Sequence, residues 1–129
     1  RAITRMWWRR AELQICNPMV HGFYYAEGLE LFKTRIRCLP EAAEGMKERA
    51  RDGMRWINGL VTGHWLAGDR FTVADICLYC YIDQLCEAAQ PIPKGLDQLA
   101  AWFKRVGGRP AAAQARIPTS NAPSNHPER

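Results

Sequence analysis

Cysteine carries the most reactive side chain in this sequence, so its spacing bears first on what chemistry is possible. Five cysteines are present, at positions 16, 38, 77, 80 and 86. Cys77 and Cys80 form a Cys-x-x-Cys pair, a spacing that zinc sites and redox centres use. No second pair follows at zinc spacing, and the pair lies inside the apolar run 76–81. We therefore predict packed, reduced core cysteines and no metal site.

The three histidines and a tyrosine pair are the next candidates for chemistry. His21, His64 and His126 lie far apart in the sequence, and none has an acidic or cysteine partner at a catalytic spacing. We interpret them as solvent-facing or capping residues rather than members of a catalytic triad. Tyr24 and Tyr25 could donate hydrogen bonds toward a pocket, although buried tyrosines usually find a backbone acceptor.

Basic residues are concentrated near the start of the chain. Arg5, Arg9 and Arg10 lie close together with Trp7 and Trp8 between them, whereas the other basic residues are scattered among Glu and Asp. With the net charge of +5, this cluster could indicate an RNA-binding patch. A solvent-facing helix surface is the commoner meaning of such a cluster, and we do not expect a nucleic-acid partner.

Composition limits the classes of protein that these residues can belong to. The chain has 129 residues, 47% of them hydrophobic, which indicates one domain with a substantial core. Its longest apolar run, residues 76–82, is far shorter than the ~18–20 residues of a membrane-spanning helix. Because arginines interrupt its first residues, we do not expect these residues to form a signal peptide. We expect a cytoplasmic protein without a membrane partner. Because a helical pattern is already running at Arg1, we also expect a piece of a longer reading frame.

Helical periodicity predicts the elements that position these residues. Residues 2–16 form one helical pattern, Asn17-Pro18 should kink or break it, and a helix should resume over residues 19–35. The buried candidates of that second part are Phe23, Leu31 and Phe32. Pro40 then opens an amphipathic helix that Gly63 should end. Its apolar positions recur at steps of three and four: Ala43, Met46, Ala50, Gly53, Met54, Ile57, Leu60 and Val61.

The most informative stretch is the turn at 65–69 and the helix that follows it. Thr72 and Asp75 have the spacing of a capping box, in which each residue's side chain accepts from the other's amide. Phe71 and Ile76 occupy the two positions of a hydrophobic staple. Residues 73–86 are apolar nearly all round, which predicts a central, buried helix.

A last amphipathic helix and a polar tail complete the chain. Gln-Pro-Ile-Pro at 90–93 should end the central helix with an extended crossing. Arg109-Pro110 should end the ordered body, so we predict a helical domain over residues 1–112 and a flexible tail over 113–129. The last helix should close at Gly107-Gly108, and its apolar positions are Leu96, Leu99, Trp102, Phe103 and Val106.

Residues 65–76, Trp-Leu-Ala-Gly-Asp-Arg-Phe-Thr-Val-Ala-Asp-Ile, resemble part of the C-terminal domain of the glutathione transferase superfamily. Members of that family carry a loop of the type Leu-Ala-Gly-Asp, then Phe or Pro, then Ser/Thr-x-x-Asp, at the start of the core helix. Leu-Ala-Ala-Trp-Phe-Lys-Arg-Val at 99–106 and Arg-Pro-Ala at 109–111 match the family's last helix and its exit. The resemblance extends over about residues 2–112.

The resemblance implies an all-α bundle of about five helices around the one that begins at Thr72. In this family a thioredoxin-like domain precedes the helices, holds the co-substrate glutathione and donates the residue that activates its thiol. No catalytic residue and no cofactor is therefore assigned to this chain. The resemblance assigns to it a wall of the pocket for a hydrophobic electrophile and part of a homodimer interface, as a fragment of a detoxifying glutathione S-transferase.

Candidates for that wall lie on the first helix, where it would face the absent domain: Met6, Trp7, Arg10, Leu13 and Gln14. Met6 and Trp7 offer apolar surface to an electrophile, and Arg10 could pair with a carboxylate of glutathione. Ordinary packing against neighbouring helices is the competing explanation for each residue.

The competing function is a protein-interaction module, because the same helical domain occurs in translation elongation factors and aminoacyl-tRNA synthetase assemblies.

Overall fold

Helices make up the architecture of this chain, in a computed structural model that describes residues 1–28 and 33–115. The five α-helices of these residues are α1 (Ala2–Ala11), α2 (Ala43–Leu60), α3 (Val73–Glu87), α4 (Asp97–Gly107) and α5 (Pro110–Ala115). Two π-helical segments follow α1, the first over Glu12–Cys16 and the second over Pro18–Gly28, and a 3₁₀ turn at Pro40–Ala42 precedes α2. The predicted all-α fold is confirmed. The predicted core residues Leu31 and Phe32 lie outside the described residues.

One buried stripe explains how α1 and the two π segments form a single long element. Trp7, Ala11, Ile15, Met19 and Phe23 recur at steps of four and are all buried. Four residues exceed one turn of an α-helix, which takes 3.6 residues, but fall short of one turn of the wider π-helix. The two windings in succession therefore keep the stripe on one side, against the core.

The helical path continues through Asn17-Pro18, so a break there, one of the two predicted outcomes, does not occur. Asn17 keeps helical backbone angles, with φ −62° and ψ −50°, and Pro18 is the first residue of the second π segment. A proline in an α-helix removes a hydrogen bond and collides with the preceding turn. The π winding on both sides of Pro18 changes the spacing of that turn, and the buried proline ring joins the core instead of ending the helix.

Helix α2 packs its small and apolar face against the two π segments. Ala43, Ala50, Gly53, Met54 and Ile57 are buried, as the predicted periodicity requires, while charged residues occupy the opposite face. Gly53 lies at the point of closest approach, because a methyl group on it would collide with the carbonyl oxygen of Gln14. Only glycine lets the two backbones come so close together.

The start of α3 is held by the Asp75 carboxylate, which is fully buried. One carboxylate oxygen accepts from the Leu66 amide at 3.0 Å and from the Trp102 indole at 2.9 Å, and the other accepts from the Thr72 amide at 3.0 Å. The Thr72 hydroxyl accepts from the Ala74 amide at 3.3 Å, and Thr72 and Asp75 together form a capping box. The carboxylate thus joins the preceding loop, the start of α3 and helix α4 at one point.

The loop before α3 is a tight turn that presents the Leu66 amide to Asp75. Trp65 and Gly68 exchange two backbone hydrogen bonds, of 2.8 and 3.1 Å. Gly68 has a φ of +95°, a conformation that side-chain-bearing residues rarely adopt. The turn predicted at 65–69 is therefore confirmed.

Helix α3 is enclosed on one side only, which corrects the prediction of a helix buried all round. Its buried face includes Leu78, Ile82 and Leu85, but Val73 and Ile76 are about half exposed, at 48% each. Cys77 is half-buried and Cys80 is exposed, so the prediction of two packed core cysteines was wrong for Cys80. The exposed side receives only partial cover from α1 and from α5.

Helix α4 closes the core, and α5 continues beyond the predicted end of the ordered body. Leu99, Trp102 and Val106 are buried, and the Leu99 amide donates to the side-chain oxygen of Asn58 on α2 at 2.9 Å. Pro110 begins α5 instead of ending the helical structure. The predicted domain limit at residue 112 falls inside α5, and residues 116–129 of the predicted tail lie outside the described residues.

None of the described helices is long and apolar enough to cross a membrane.

Replacing Asp75 by alanine should destabilise the fold by about 3 kcal/mol or more, because three donors lose their acceptor in or near the core. Thr72→Ala removes only the hydroxyl of the cap and should cost about 0.5–2 kcal/mol. Asp69→Ala, on an exposed turn residue, is the matched control and should change stability by less than about 0.5 kcal/mol. Urea denaturation measures all three, and an Asp75 variant as stable as the Asp69 variant would contradict the anchor role.

Two glycines of α2 should respond to alanine in opposite directions. Gly53→Ala should destabilise by about 1–3 kcal/mol, because the added methyl group must displace the backbone at Gln14. Gly59 has open space around it in the same helix, so Gly59→Ala should stabilise by about 0.5–1 kcal/mol. Thermal denaturation of the pair tests the close approach, and equal shifts in Tm would refute it.

Candidate functional site

The five candidate residues on the first helical element do not lie on one surface. Trp7 is only 4% exposed and packs into the core, whereas Trp8 is 47% exposed. Met6 and Leu13 are exposed to about the same extent as Trp8, and Arg10 and Gln14 are half-buried. Trp7, predicted to line a wall toward another domain, is thus enclosed by the helices of this chain, and its neighbour Trp8 is the exposed tryptophan.

Arg10 is held between two aromatic rings. Its guanidinium carbon lies 4.9 Å from the ring centroid of Trp7 and 5.5 Å from that of Trp56 on α2. Cation–π contacts of this kind stabilise an arginine and fix its position. Arg10 and Trp7 therefore join α1 to α2, and Trp56 is a partner that sequence periodicity did not indicate, because it projects from the polar side of α2.

Leu13 and Gln14 come together at a cavity of about 500 Å³ beside the second π segment. Its other walls are Asn17, Pro18, His21, Met46 and Arg49. This volume lies within the roughly 300–1,000 Å³ of small-molecule sites. Arg49 has no carboxylate partner among the described residues, so the cavity combines apolar surface with a cation at its edge. His21, Met46 and Arg49 join it from parts of the sequence that offered no functional signal.

A second groove, of about 650 Å³, runs along the opposite side of α1 to the start of α3. Ile3, Trp8 and Val73 line it, and each is about half exposed, at 56%, 47% and 48%. Arg5 and Arg70 flank these apolar side chains. The groove therefore presents a large apolar surface with a basic rim.

Contacts within the fold reduce the number of free arginines in the basic cluster near the start of the chain. Arg9 pairs with Glu12 at 2.6 Å, and Arg10 is enclosed by the two tryptophans. Arg5 is the member of that cluster with neither an ion-pair partner nor an enclosing aromatic ring among residues 1–28 and 33–115. Proteins that bind nucleic acid neutralise several phosphates with their lysines and arginines. One free arginine beside a partly exposed tryptophan supplies little of that charge.

The titratable groups between the first π segment and α3 remain protonated near neutral pH. Burial raises the pKa of the Cys16 thiol and that of the Cys77 thiol. Burial, together with the neighbouring Cys16, raises the pKa of the Tyr81 hydroxyl to about 12. Thiolates, not thiols, are the nucleophilic form of cysteine, so Cys16 and Cys77 are poor nucleophiles. In the described part of the chain, no three His, Cys, Asp or Glu side chains are grouped to hold a metal ion.

Comparison with known families and sequences gives consistent matches. The model of the family described as "Glutathione S-transferase, C-terminal domain" matches residues 40–105. Glutathione S-transferase 2 of Saccharomyces cerevisiae is 26% identical over 117 residues, covering 86% of this chain and 48% of the yeast protein. Glutathione S-transferase 1 of Manduca sexta is 36% identical over 59 residues, covering 45% of this chain and 27% of the insect protein.

Two solved structures have the same fold over nearly the whole chain. A glutathione S-transferase domain-containing protein of Marinobacter aquaeolei VT8 superposes with a TM-score of 0.77 at 36% identity, over 87% of this chain and 55% of that one. Gtt2 of Saccharomyces cerevisiae superposes with a TM-score of 0.79 at 24% identity, over 88% and 55%, and at that identity supports the fold alone. The chain spans about half the length of both structures and of the yeast relative.

Proposed function

Because this chain belongs to the family of glutathione S-transferase C-terminal domains, we propose that it is the helical, non-catalytic half of such an enzyme. In this proposal another domain holds glutathione and activates its thiol. The helices supply a wall of the pocket for a hydrophobic electrophile and part of a homodimer interface. The observation that carries the proposal is the half-exposed apolar groove of Ile3, Trp8 and Val73.

The exposed apolar side chains of that groove are typical of a surface that another protein segment covers. Isolated exposed apolar side chains are common, but three large ones in one groove are typical of an interaction site. This chain covers 48% of the matched yeast relative and 55% of the matched structure, so those proteins contain further segments that could lie there. We assign the groove to the glutathione-holding domain, with Arg5 and Arg70 facing acidic groups on it.

The cavity at Leu13 and Gln14 is the better candidate for the electrophile. Leu13 and Met46 offer apolar surface, and the flexible methionine side chain can adapt to ligands of different shapes. Arg49 can accept a negatively charged substituent at the edge of the cavity. Of the remaining candidates, Trp7 and Arg10 join α1 to α2 and do not line the cavity, and Met6 lies on the exposed side of α1.

The described residues supply no group that could activate the thiol of glutathione. In this proposal the reaction therefore requires another domain. Conjugation needs glutathione as thiolate near neutral pH, and this requires a donor or cation beside its sulfur. Tyr81, whose hydroxyl hydrogen-bonds with Cys16, has a pKa of about 12 and sits among thiols that also remain protonated.

The chain by itself should therefore conjugate glutathione to chlorodinitrobenzene no faster than the uncatalysed background. Glutathione S-transferase 2 of Saccharomyces cerevisiae, assayed in parallel, is the positive control. Activity of this chain within about tenfold of that enzyme, a difference of only 1.4 kcal/mol in the barrier, would refute the assignment of catalysis to another domain.

The apolar groove should make the isolated chain self-associate, and Trp8→Ser should reduce that association. Trp56→Ser is the matched control, because Trp56 is exposed to the same degree, 46% against 47%, but lies outside the groove. Sedimentation velocity at several concentrations measures the effect. If the Trp56 variant lowers self-association as much as the Trp8 variant, the groove is not the surface that requires cover.

A further inference from the structure

A third cavity, separate from both surfaces discussed above, lies between α3, α4 and α5. Its volume of about 330 Å³ is at the lower end of the roughly 300–1,000 Å³ of small-molecule sites. Most of its lining is apolar: Phe71, Ile76, Tyr79, Val106, Ala111 and Ala112. A cavity of this size and lining suits a ligand with one ring or a short aliphatic chain.

Among the described residues that line this cavity, Arg109 is the only cation. Its guanidinium carbon lies 3.8 Å from the ring centroid of Phe71 and 5.5 Å from that of Trp65. Among the described residues, no carboxylate lies within ion-pair distance of it. Stacking on aromatic faces leaves the N–H groups at the guanidinium edge free to donate, and their fork matches the two oxygens of a carboxylate.

We propose that this cavity is a binding site for a small apolar carboxylate, such as an arylalkanoic acid. The apolar body would fill the space between α3 and α5, and the carboxylate would accept two hydrogen bonds from Arg109. Charge-assisted, bidentate bonds of this kind are the strongest that a side chain can offer to a planar anion. The site is independent of glutathione and of the proposed co-substrate cavity, which lies beside the second π segment.

Two further polar side chains line the cavity and sharpen the proposal. Asp83 is already engaged in an interaction of its own, yet its negative charge opposes an anionic ligand. Cys80 is exposed and contributes its thiol to the same wall, so its reactivity reports on whether the cavity is filled. Cys38 is half-buried and does not line this cavity, so it serves as an internal reference in the same molecule.

The experiment uses the whole chain with 3-phenylpropanoate as probe and 3-phenylpropanamide as its uncharged match. N-ethylmaleimide labels the cysteines: the sulfur adds to one alkene carbon, a proton from water goes to the other, and no group leaves. Peptide mass spectrometry follows the labelling rates of Cys80 and Cys38 separately. A bound acid should slow the labelling of Cys80 in proportion to its occupancy and leave Cys38 unchanged.

The acid should protect Cys80 at concentrations about tenfold lower than the amide, as expected for one charge-assisted contact. Arg109→Gln should abolish this difference, Arg109→Lys should retain part of it, and Asp83→Asn should increase it. Arg105→Gln is the matched control, because Arg105, on α4, also lies over the ring of Trp65, at 6.0 Å, but does not line the cavity. Circular dichroism verifies that each variant is folded.

Each of the following results would overturn the proposal. They are equal protection by acid and amide, equal slowing of Cys38, loss of the acid's advantage in Arg105→Gln, and an unchanged advantage in a folded Arg109→Gln. Protection by neither probe up to their solubility limits would also overturn it. Because conjugating activity is not measured, failure here leaves the proposed function standing, and failure of that function leaves this site intact.

Discussion

The Asp75 carboxylate is the interaction on which the rest of this structure depends. It accepts from two backbone amides, at Leu66 and Thr72, and from the indole of Trp102, all at 2.9–3.0 Å. A fully buried carboxylate is costly unless its hydrogen bonds are satisfied, and here each one comes from a different segment of the chain. The same bonds that compensate the burial of the charge therefore fix the loop, the start of α3 and helix α4 relative to one another.

Both surfaces near the start of α3 inherit their geometry from this anchor. The capping box sets the direction in which α3 begins, and this direction brings Val73 beside Ile3 and Trp8 in the apolar groove. The loop held through Leu66 carries Trp65, whose ring lies edge-on to Phe71 at 5.0 Å. Arg109 rests on both rings, so the cation of the third cavity is positioned by the same loop.

How much of this could be predicted from sequence depends on whether the cause is local. The capping-box spacing, the turn at Gly68 and the amphipathic face of α2 arise from residues a few positions apart, and sequence patterns contain them. The continuation through Pro18 could not be predicted, because it depends on a change of helical winding that keeps a distant stripe buried. Cys80 was misplaced for a similar reason: an apolar helix does not show which of its sides a neighbour will cover.

In the candidate site, the same limit of sequence-based prediction applies to single residues. Trp7 and Trp8 are adjacent and chemically identical, yet one joins the core and the other the groove, because a step of one residue turns the side chain by more than a quarter of a turn. Periodicity alone does not show which of the two is buried, and it gives no reason to bring His21, Met46 and Arg49 to Leu13. The first helical element thus presents a buried stripe to the core, Leu13 and Gln14 to one cavity, and Ile3 and Trp8 to a groove. Which of these environments a residue enters depends on the segments that pack around the element, and residues a few positions apart in the sequence do not contain that information.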